Sequence, residues 1–351
     1  MSGSFVQRGE PACVPKEIRA ASAVAGGASM VLEIPFPYSC LSAEGFADAG
    51  VRLLNGVGFC SHLAFGSECA DSGLLTALAD ALCEDSVLKS IQVYQKEHPT
   101  LTYIRARSAV LRTHFGEKAA VSENPNDILG IEYIKAIKRQ SACLIPVALP
   151  RSVGRTDAPN GVFASSSFVR TLTANGEYEQ AAAFLPDESA LEKLKSFCPT
   201  AFRWVVYLLL LSKTKKQLAA CCEYSGGLEN AVYRAVHRAK DYAEAVEALR
   251  CKTLTDAKIR RLLLFGALGV TKEQAARPPA YAHVLAWGED ETARALFRAA
   301  RKAPLPPTKR IGTLRKSKTA ADQYAFNALA EQILQAGSEA VENGRKEPHN
   351  L

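Results

Sequence analysis

Long apolar runs, paired cysteines and metal-binding spacings are what this sequence most conspicuously lacks. The longest apolar run is Trp204 to Leu211, far short of the roughly 20 residues that a membrane-spanning helix needs. No basic stretch followed by an apolar segment marks a leader, so the expectation is a soluble, cytoplasmic protein with no membrane partner. Ten cysteines are present, but no C-x-x-C pair, and most lie within apolar segments. That pattern argues for reduced core thiols rather than disulfides or zinc. The six histidines are scattered, with no pair at metal-ligand spacing, so no resident metal site is expected. There is no G-x-x-x-x-G-K-[ST], no H-E-x-x-H and no G-x-S-x-G. Gly56-Val-Gly58 lacks the third glycine of a dinucleotide fingerprint and follows a helix. No catalytic nucleophile or general base stands out.

What is present is a chain of 351 residues, 48% of them hydrophobic, with 43 Lys and Arg against 36 Asp and Glu. Two domains of ordinary size fit that length. The net charge of +7 permits a polyanionic partner such as RNA without demanding one. Ala-rich residues 18–28 follow a helical pattern stopped by Gly26-Gly27, and residues 30–35 read as a buried strand. A helix is expected over 42–54, a short strand over 61–65, a long helix over 71–95 and another over 101–114. Asp127 is placed to cap a helix over 128–139, and 143–149 is a further apolar strand. Strand, helix, strand, helical excursion and strand is the order of a nucleotide-binding α/β domain, assigned to residues 1–186. Beyond it strands nearly vanish. Residues 187–341 read as a mainly helical domain with tRNA-contacting potential, and 342–351 as a polar tail.

In a doubly wound sheet, ligands sit at the carboxyl ends of the strands. The candidates there are Gly3 and Gly66, which allow backbone to approach a ligand, Asn126, whose amide both donates and accepts, and Arg151, a cation for phosphate. Ser165, Ser167 and Arg170 put hydroxyls and a guanidinium at a helix start, suited to an anion. Each has an ordinary alternative as a turn, a cap or a surface charge. For RNA phosphates the candidates are Lys258, Arg260 and Arg261, with the basic run Lys309, Arg310, Arg315, Lys316 and Lys318. Plain solvated charge is an equal reading of both groups.

The residues also carry a resemblance. Ser2-Gly-Ser-Phe-Val-Gln-Arg-Gly-Glu-Pro-Ala12, Gly26-Gly-Ala-x-x-Val-Leu-Glu-Ile-Pro35, Ser42-Ala-Glu-Gly-Phe-Ala47, Phe65-Gly-Ser-Glu68 and Asn126-x-Ile-Leu-Gly-Ile-Glu-Tyr133 are similar to the bacterial tRNA(Met) cytidine acetate ligase family. These motifs stand in family order over residues 2 to 172. Tyr281-Ala-His-Val-Leu-Ala-Trp287 extends the resemblance more loosely into the second half. The resemblance implies a Rossmann-like nucleotidyltransferase domain followed by a mainly helical one. It implies a ligase that joins acetate to ATP, with Mg2+ carried by the nucleotide, and acetylates N4 of the wobble cytidine of elongator tRNA(Met). It places adenylate contacts on Gly66, Asn126 and Arg151, and matches a Ser/Thr-rich motif to Ser165, Ser167 and Arg170. Ser152 stands where the family usually has a second basic group.

The family also carries a Tyr-Asn-Pro-Phe-His-x-Gly-His loop after a first strand, and no His-x-Gly-His occurs here. The expectation is an N-terminally truncated α/β domain, read either from an internal methionine or from a shortened paralogue, that binds ATP poorly. Equal acetate-dependent pyrophosphate exchange with and without an in-frame upstream extension would refute that. Another small-molecule nucleotidyltransferase and a non-catalytic tRNA-binding paralogue are the alternatives.

Overall fold

The computed structural model describes residues 1–151, 159–161, 163–185, 188–196, 199–309, 314 and 317–346. The chain opens with a hairpin of two very short strands, β1 (Phe5–Val6) and β2 (Glu10–Pro11). Helix α1 (Lys16–Ala25) follows, then β3 (Met30–Leu32). Helix α2 (Ala43–Gly56) leads to β4 (His62–Ser67). Four helices make the excursion: α3 (Ser72–Ala81), α4 (Asp85–Glu97), α5 (Tyr103–Phe115) and α6 (Pro125–Arg139). Strand β5 (Ile145–Pro150) closes it, and α7 (Ser166–Ala174) begins the helical half.

Strands β4 and β5 pair in parallel, from His62 opposite Ile145 to Ser67 opposite Pro150. Side chains of β4 alternate strictly, with Leu63, Phe65 and Ser67 buried and the others exposed. One face therefore lies on the helical excursion, forming a compact core of Leu63, Phe65, Leu75, Leu78, Leu111 and Ile131. This departs from the usual parallel strand, which is apolar on both faces. Strand β3 does not pair with β4. Between them lies a cavity of about 240 Å³ lined mainly by apolar side chains, including Leu32, Ile34, Leu53, Leu63 and Tyr133.

The partner of β3 comes from the other end of the chain. Strand β6 (Ala282–Trp287) pairs with it antiparallel, and β7 (Pro307–Thr308) adds to β6 in parallel. The sequence-based reading, mainly helical in this half, assigned no strand here, so β6 adds to it. The expected division at residue 187 is likewise not a division of the core. A single large cluster holds Phe5, Phe36 and Leu53 from the first half with Phe202, Phe265 and Leu305 from the second. The long C-terminal helix, Lys318–Lys346, packs on the helix Pro199–Leu211 and sends Asn327 Oδ1 to accept from the backbone N–H of Phe36 at 2.8 Å. The expected helix over 71–95 is two helices, α3 and α4. Among the described residues, no helix is long and apolar enough to cross a membrane.

Candidate nucleotide site

Because β4 and β5 are in register, the chain leaves both strands at one level, through Glu68 and Arg151. The backbone N–H of Arg151 donates to Ser67 O at 3.2 Å, fixing the two exits side by side. The N-terminus of α6 faces the same place. Its first N–H groups have no partner within the helix, and the Glu68 carboxylate supplies one: Asn126 N and Asp127 N donate to it at 3.1 and 3.0 Å. Pro125, which has no N–H to satisfy, occupies the first turn.

Asp127 returns the arrangement in the opposite direction. It is fully buried, and its Oδ1 accepts from Ser67 Oγ at 2.5 Å and from Glu68 N at 3.0 Å, while Oδ2 accepts from Asn124 Nδ2 at 2.9 Å. Instead of capping the helix that the sequence suggested it would start, Asp127 holds the loop after β4. The two carboxylates thus cross between α6 and the strand exit, each satisfying the backbone of the other's element. Such a crossed pair ties the two elements together, because shifting either breaks several backbone hydrogen bonds at once.

Asn126, Gly66 and Arg151 come together on this frame. Asn126 Nδ2 donates to Glu68 Oε1 at 2.6 Å, which turns its Oδ1 outward to accept from Arg151 Nη1 at 3.2 Å. The stem of Arg151 lies over Gly66, where an added Cβ would stand 3.3 Å from Arg151 Cγ. The result is an exposed guanidinium held beside a helix N-terminus and a glycine backbone, a combination suited to the phosphate and sugar of a nucleotide. Glu68 and Asp127 are the residues that reading from the sequence missed as positioning groups. Both fall inside the segments quoted for the resemblance, and Asp127 was also marked as a helix cap.

The other candidates lie elsewhere. Gly3 sits beside the end of β3, its N–H donating to Ile34 O at 3.2 Å, and an added Cβ would collide with the Glu33 carboxylate. The close approach that this glycine permits is therefore to an internal acid. Ser165 Oγ caps α7 by accepting from Phe168 N at 3.1 Å, and Arg170 donates to Ser167 Oγ at 3.2 Å. That helix packs through Val169 on the small cluster of Val14, Ala190 and Leu194.

Glu33 anchors a second polar centre, wholly buried between the two halves of the chain. It accepts from Lys16 Nζ at 3.0 Å, from His283 Nδ1 at 2.5 Å and from Asn327 Nδ2 at 3.4 Å. Lys16 pairs in addition with Glu331, which also accepts from Ser4 Oγ at 3.0 Å. Burial alone raises the Glu33 carboxyl, but the hydrogen bonds and charges of His283 and Lys16 outweigh it and hold the group below the ordinary range. Burial likewise disfavours charge on Lys16, and the two carboxylates reverse that, raising it above the usual lysine value.

Two of the RNA candidates are used inside the molecule. Arg261 makes a bidentate pair with Glu223 at 3.0 and 3.1 Å, and Arg260 reaches Glu10 at 3.4 Å and Asp256 at 3.6 Å. Lys309 Nζ lies 3.8 Å from the centroid of the Trp287 ring. Lys258 and Lys318 stand near the starts of their helices, and Arg310, Arg315 and Lys316 lie outside the described residues. Among the described residues, no group of three His, Cys, Asp or Glu side chains is placed to hold a metal ion.

A half-open parallel pair of strands, a helical excursion and a strand-end cluster of this kind define a nucleotidyltransferase, and the comparisons agree. The model of the HIGH nucleotidyl transferase family matches residues 1–348, and the chain belongs to that family. Within it, the relatives are tRNA(Met) cytidine acetate ligases. The protein of that name from Acetivibrio thermocellus is 32% identical over 291 residues, covering 78% of this chain and 70% of its own. The one from Thermoanaerobacter sp. (strain X514) is 29% identical, covering 95% of this chain and 86% of its own. The fold is similar to that of Thermotoga maritima TmcAL. In its apo form the TM-score is 0.85 at 26% identity, covering 94% of this chain and 85% of the other. Bound with alpha-thio ATP, the TM-score is 0.83 at 27% identity, covering 94% and 84%.

Proposed function

We propose that the protein activates acetate with ATP and transfers the acetyl group to N4 of the wobble cytidine of elongator tRNA(Met). The observation that carries this reading is the convergence of Gly66, Asn126 and Arg151 where β4 and β5 end. An acetate oxygen attacks the α-phosphorus, the bond to the β-phosphate oxygen breaks, and pyrophosphate leaves with that electron pair. The cytidine amine then attacks the acetyl carbonyl, AMP departs as the leaving group, and the amine loses one proton.

Both steps need charge neutralisation and alignment more than a protein nucleophile, which suits a site without a Ser-His-Asp or Cys-His set. Arg151 neutralises phosphate charge, Asn126 holds that guanidinium and makes a polar contact to the nucleotide, and Gly66 lets the adenosine approach the backbone. Mg2+ enters with ATP as part of the substrate.

Acetate-dependent exchange of pyrophosphate into ATP, followed by acetylation of elongator tRNA(Met), tests the proposal. Arg151→Ala is expected to raise the KM for ATP by about tenfold or more, the loss of one charge-assisted contact, with an unchanged Tm because its guanidinium is exposed. Exchange that ignores acetate, or an Arg151→Ala protein indistinguishable from wild type, would overturn it.

A further inference from the structure

If tRNA is the second substrate, some face of the molecule must meet a polyanion, and of the arginines that the sequence pointed to, Arg260 and Arg261 are engaged by carboxylates, as are Arg203 and Arg250. The opposite situation holds along residues 212–220, a loop and the short helix Lys215–Ala219, and along the helix Leu228–Arg238. Lys215, Lys216, Arg234 and Arg238 are exposed, and among the described residues none of them pairs with a carboxylate. The acids nearby are occupied elsewhere. Glu223 belongs to Arg261, Glu229 accepts from Asn230, Glu244 accepts from the backbone of Lys240, and Glu273 pairs with Arg277.

The fold draws more positive charge onto the same face. Cys221 bridges to Thr271, and Lys272 N donates to Ala220 O at 3.2 Å, which sets Lys272 next to the loop. Lys213 and Lys272 both act electrostatically on the Cys221 thiol, against the burial that raises its pKa.

An aromatic platform lies in the middle of this charge. Tyr233 and His237, one turn apart, stack with ring centroids 4.0 Å apart and planes 25° from parallel. His237 Nδ1 lies 2.9 Å from Tyr233 O, and since a carbonyl only accepts, Nδ1 carries the proton and Nε2 is left to accept. Lys215 Nζ sits 5.3 Å from the Tyr233 ring centroid. Exposed cations beside stacked rings are the elements by which proteins hold single-stranded nucleic acid, the cations on phosphates and the rings on bases. A membrane surface would ask for the same charge together with an apolar rim; exposed Leu208 and Leu211 precede the lysines, but the face itself carries Thr214, Gln217 and Asn230 between its cations.

We infer that the face formed by Lys213, Lys215, Lys216, Tyr233, Arg234 and His237 is the tRNA-docking surface, with a phosphate strand along the lysines and an unpaired base added to the Tyr233–His237 stack from the side of the exposed His237 ring. This rests on the proposed tRNA substrate. Binding of a fluorescent elongator tRNA(Met) transcript to the full chain, titrated at several salt concentrations, tests it.

Lys215→Glu/Lys216→Glu is expected to weaken binding at least tenfold and to lower the slope of log affinity against log salt by about 2, near 0.9 per lost phosphate contact. Lys89→Glu/Lys96→Glu, the same charge change on α4, is expected to shift affinity less than twofold. Tyr233→Ala is expected to weaken binding about fivefold or more with the slope unchanged, since stacking is not a counterion effect. Wild-type affinity and slope in the Lys215/Lys216 variant would overturn the docking surface while leaving the tRNA reading intact. A wild-type chain that binds no tRNA would overturn both, and so would one whose patch binds phosphatidylserine vesicles instead.

Discussion

A carboxylate with no solvent exposure survives only if its partners repay its desolvation, and Glu33 shows how the balance falls. Its depressed titration means that it stabilises the fold above the ordinary glutamate range, near 4.5, and loses that contribution as pH falls through its lower folded value. Lys16 works in the other direction. Its raised value means a contribution present below 10.5 and lost as pH rises through its higher folded value. Between those limits the pair should give a flat plateau. Glu33→Gln is expected to cost about 3 kcal/mol at neutral pH, the typical penalty for stranding a buried cation's partner. The gap between variant and wild type should close only under acid, below about pH 4. Chemical denaturation across pH reads both. A gap that stayed constant into strong acid would mean that ionised Glu33 contributes nothing.

Among the elements, the β1–β2 hairpin is too short to hold itself, and its stability must come from what it touches. Glu10 reaches Arg203 at 2.8 Å and Arg260 at 3.4 Å. The turn passes close over the helix Asp256–Leu268. Gly9 has φ of +73°, and an added Cβ would stand 2.6 Å from Arg261 N and 2.8 Å from Arg260 C. Both the dihedral and the backbone contact forbid a side chain. Gly9→Ala is therefore expected to cost at least about 2 kcal/mol, combining left-handed strain with a clash that no rotamer relieves. A denaturation midpoint within error of wild type would show that the hairpin does not dock as described.

How far these elements were legible depended on how local their causes are. The strands β4 and β5 and helices α2, α5 and α6 follow from apolar spacing, and their ends from nearby Gly, Pro and capping residues. The break between α3 and α4 was passed over because apolar spacing continues through Leu82, although Glu84 and Asp85 start a new helix. β6 was invisible because a segment containing Ala282, His283 and Val284 becomes a strand only through β3, which lies some 250 positions earlier. At the site, Gly66, Asn126 and Arg151 could be named from strand ends and resemblance. Their alignment through Glu68 could not, since it needs α6 to fold back onto β4.

At the scale of the molecule, the two halves differ in how much each owes the other. The core beneath β4 and β5 draws all its buried members from residues 47 to 144, so the frame holding Asn126 and Arg151 is locally built. The larger core is not, because its first-half members Phe5, Phe36 and Leu53 pack directly with Phe202, Phe265 and Leu305. Among the described strands β3 pairs with β6 alone, flanked on its other side only by the first residues of the chain, where the Met1 amino group donates to Leu32 O and Ser2 bridges to Ile34, and Glu33 and Phe36 take hydrogen bonds from, or give them to, side chains beyond residue 280. Residues 1–186 expressed alone would therefore leave β3 without its strand partner, Glu33 without His283 and Asn327, and a broad apolar face open to water. The expectation is that the intact chain melts in a single calorimetric transition, and that the 1–186 fragment gives none attributable to the β3 region. Amides of β4 and α6 in that fragment should retain hydrogen-exchange protection while those around β3 lose it. A fragment protected equally at β3 and β4 would show that the return of β6 is dispensable, and with it the dependence of the first half on the second.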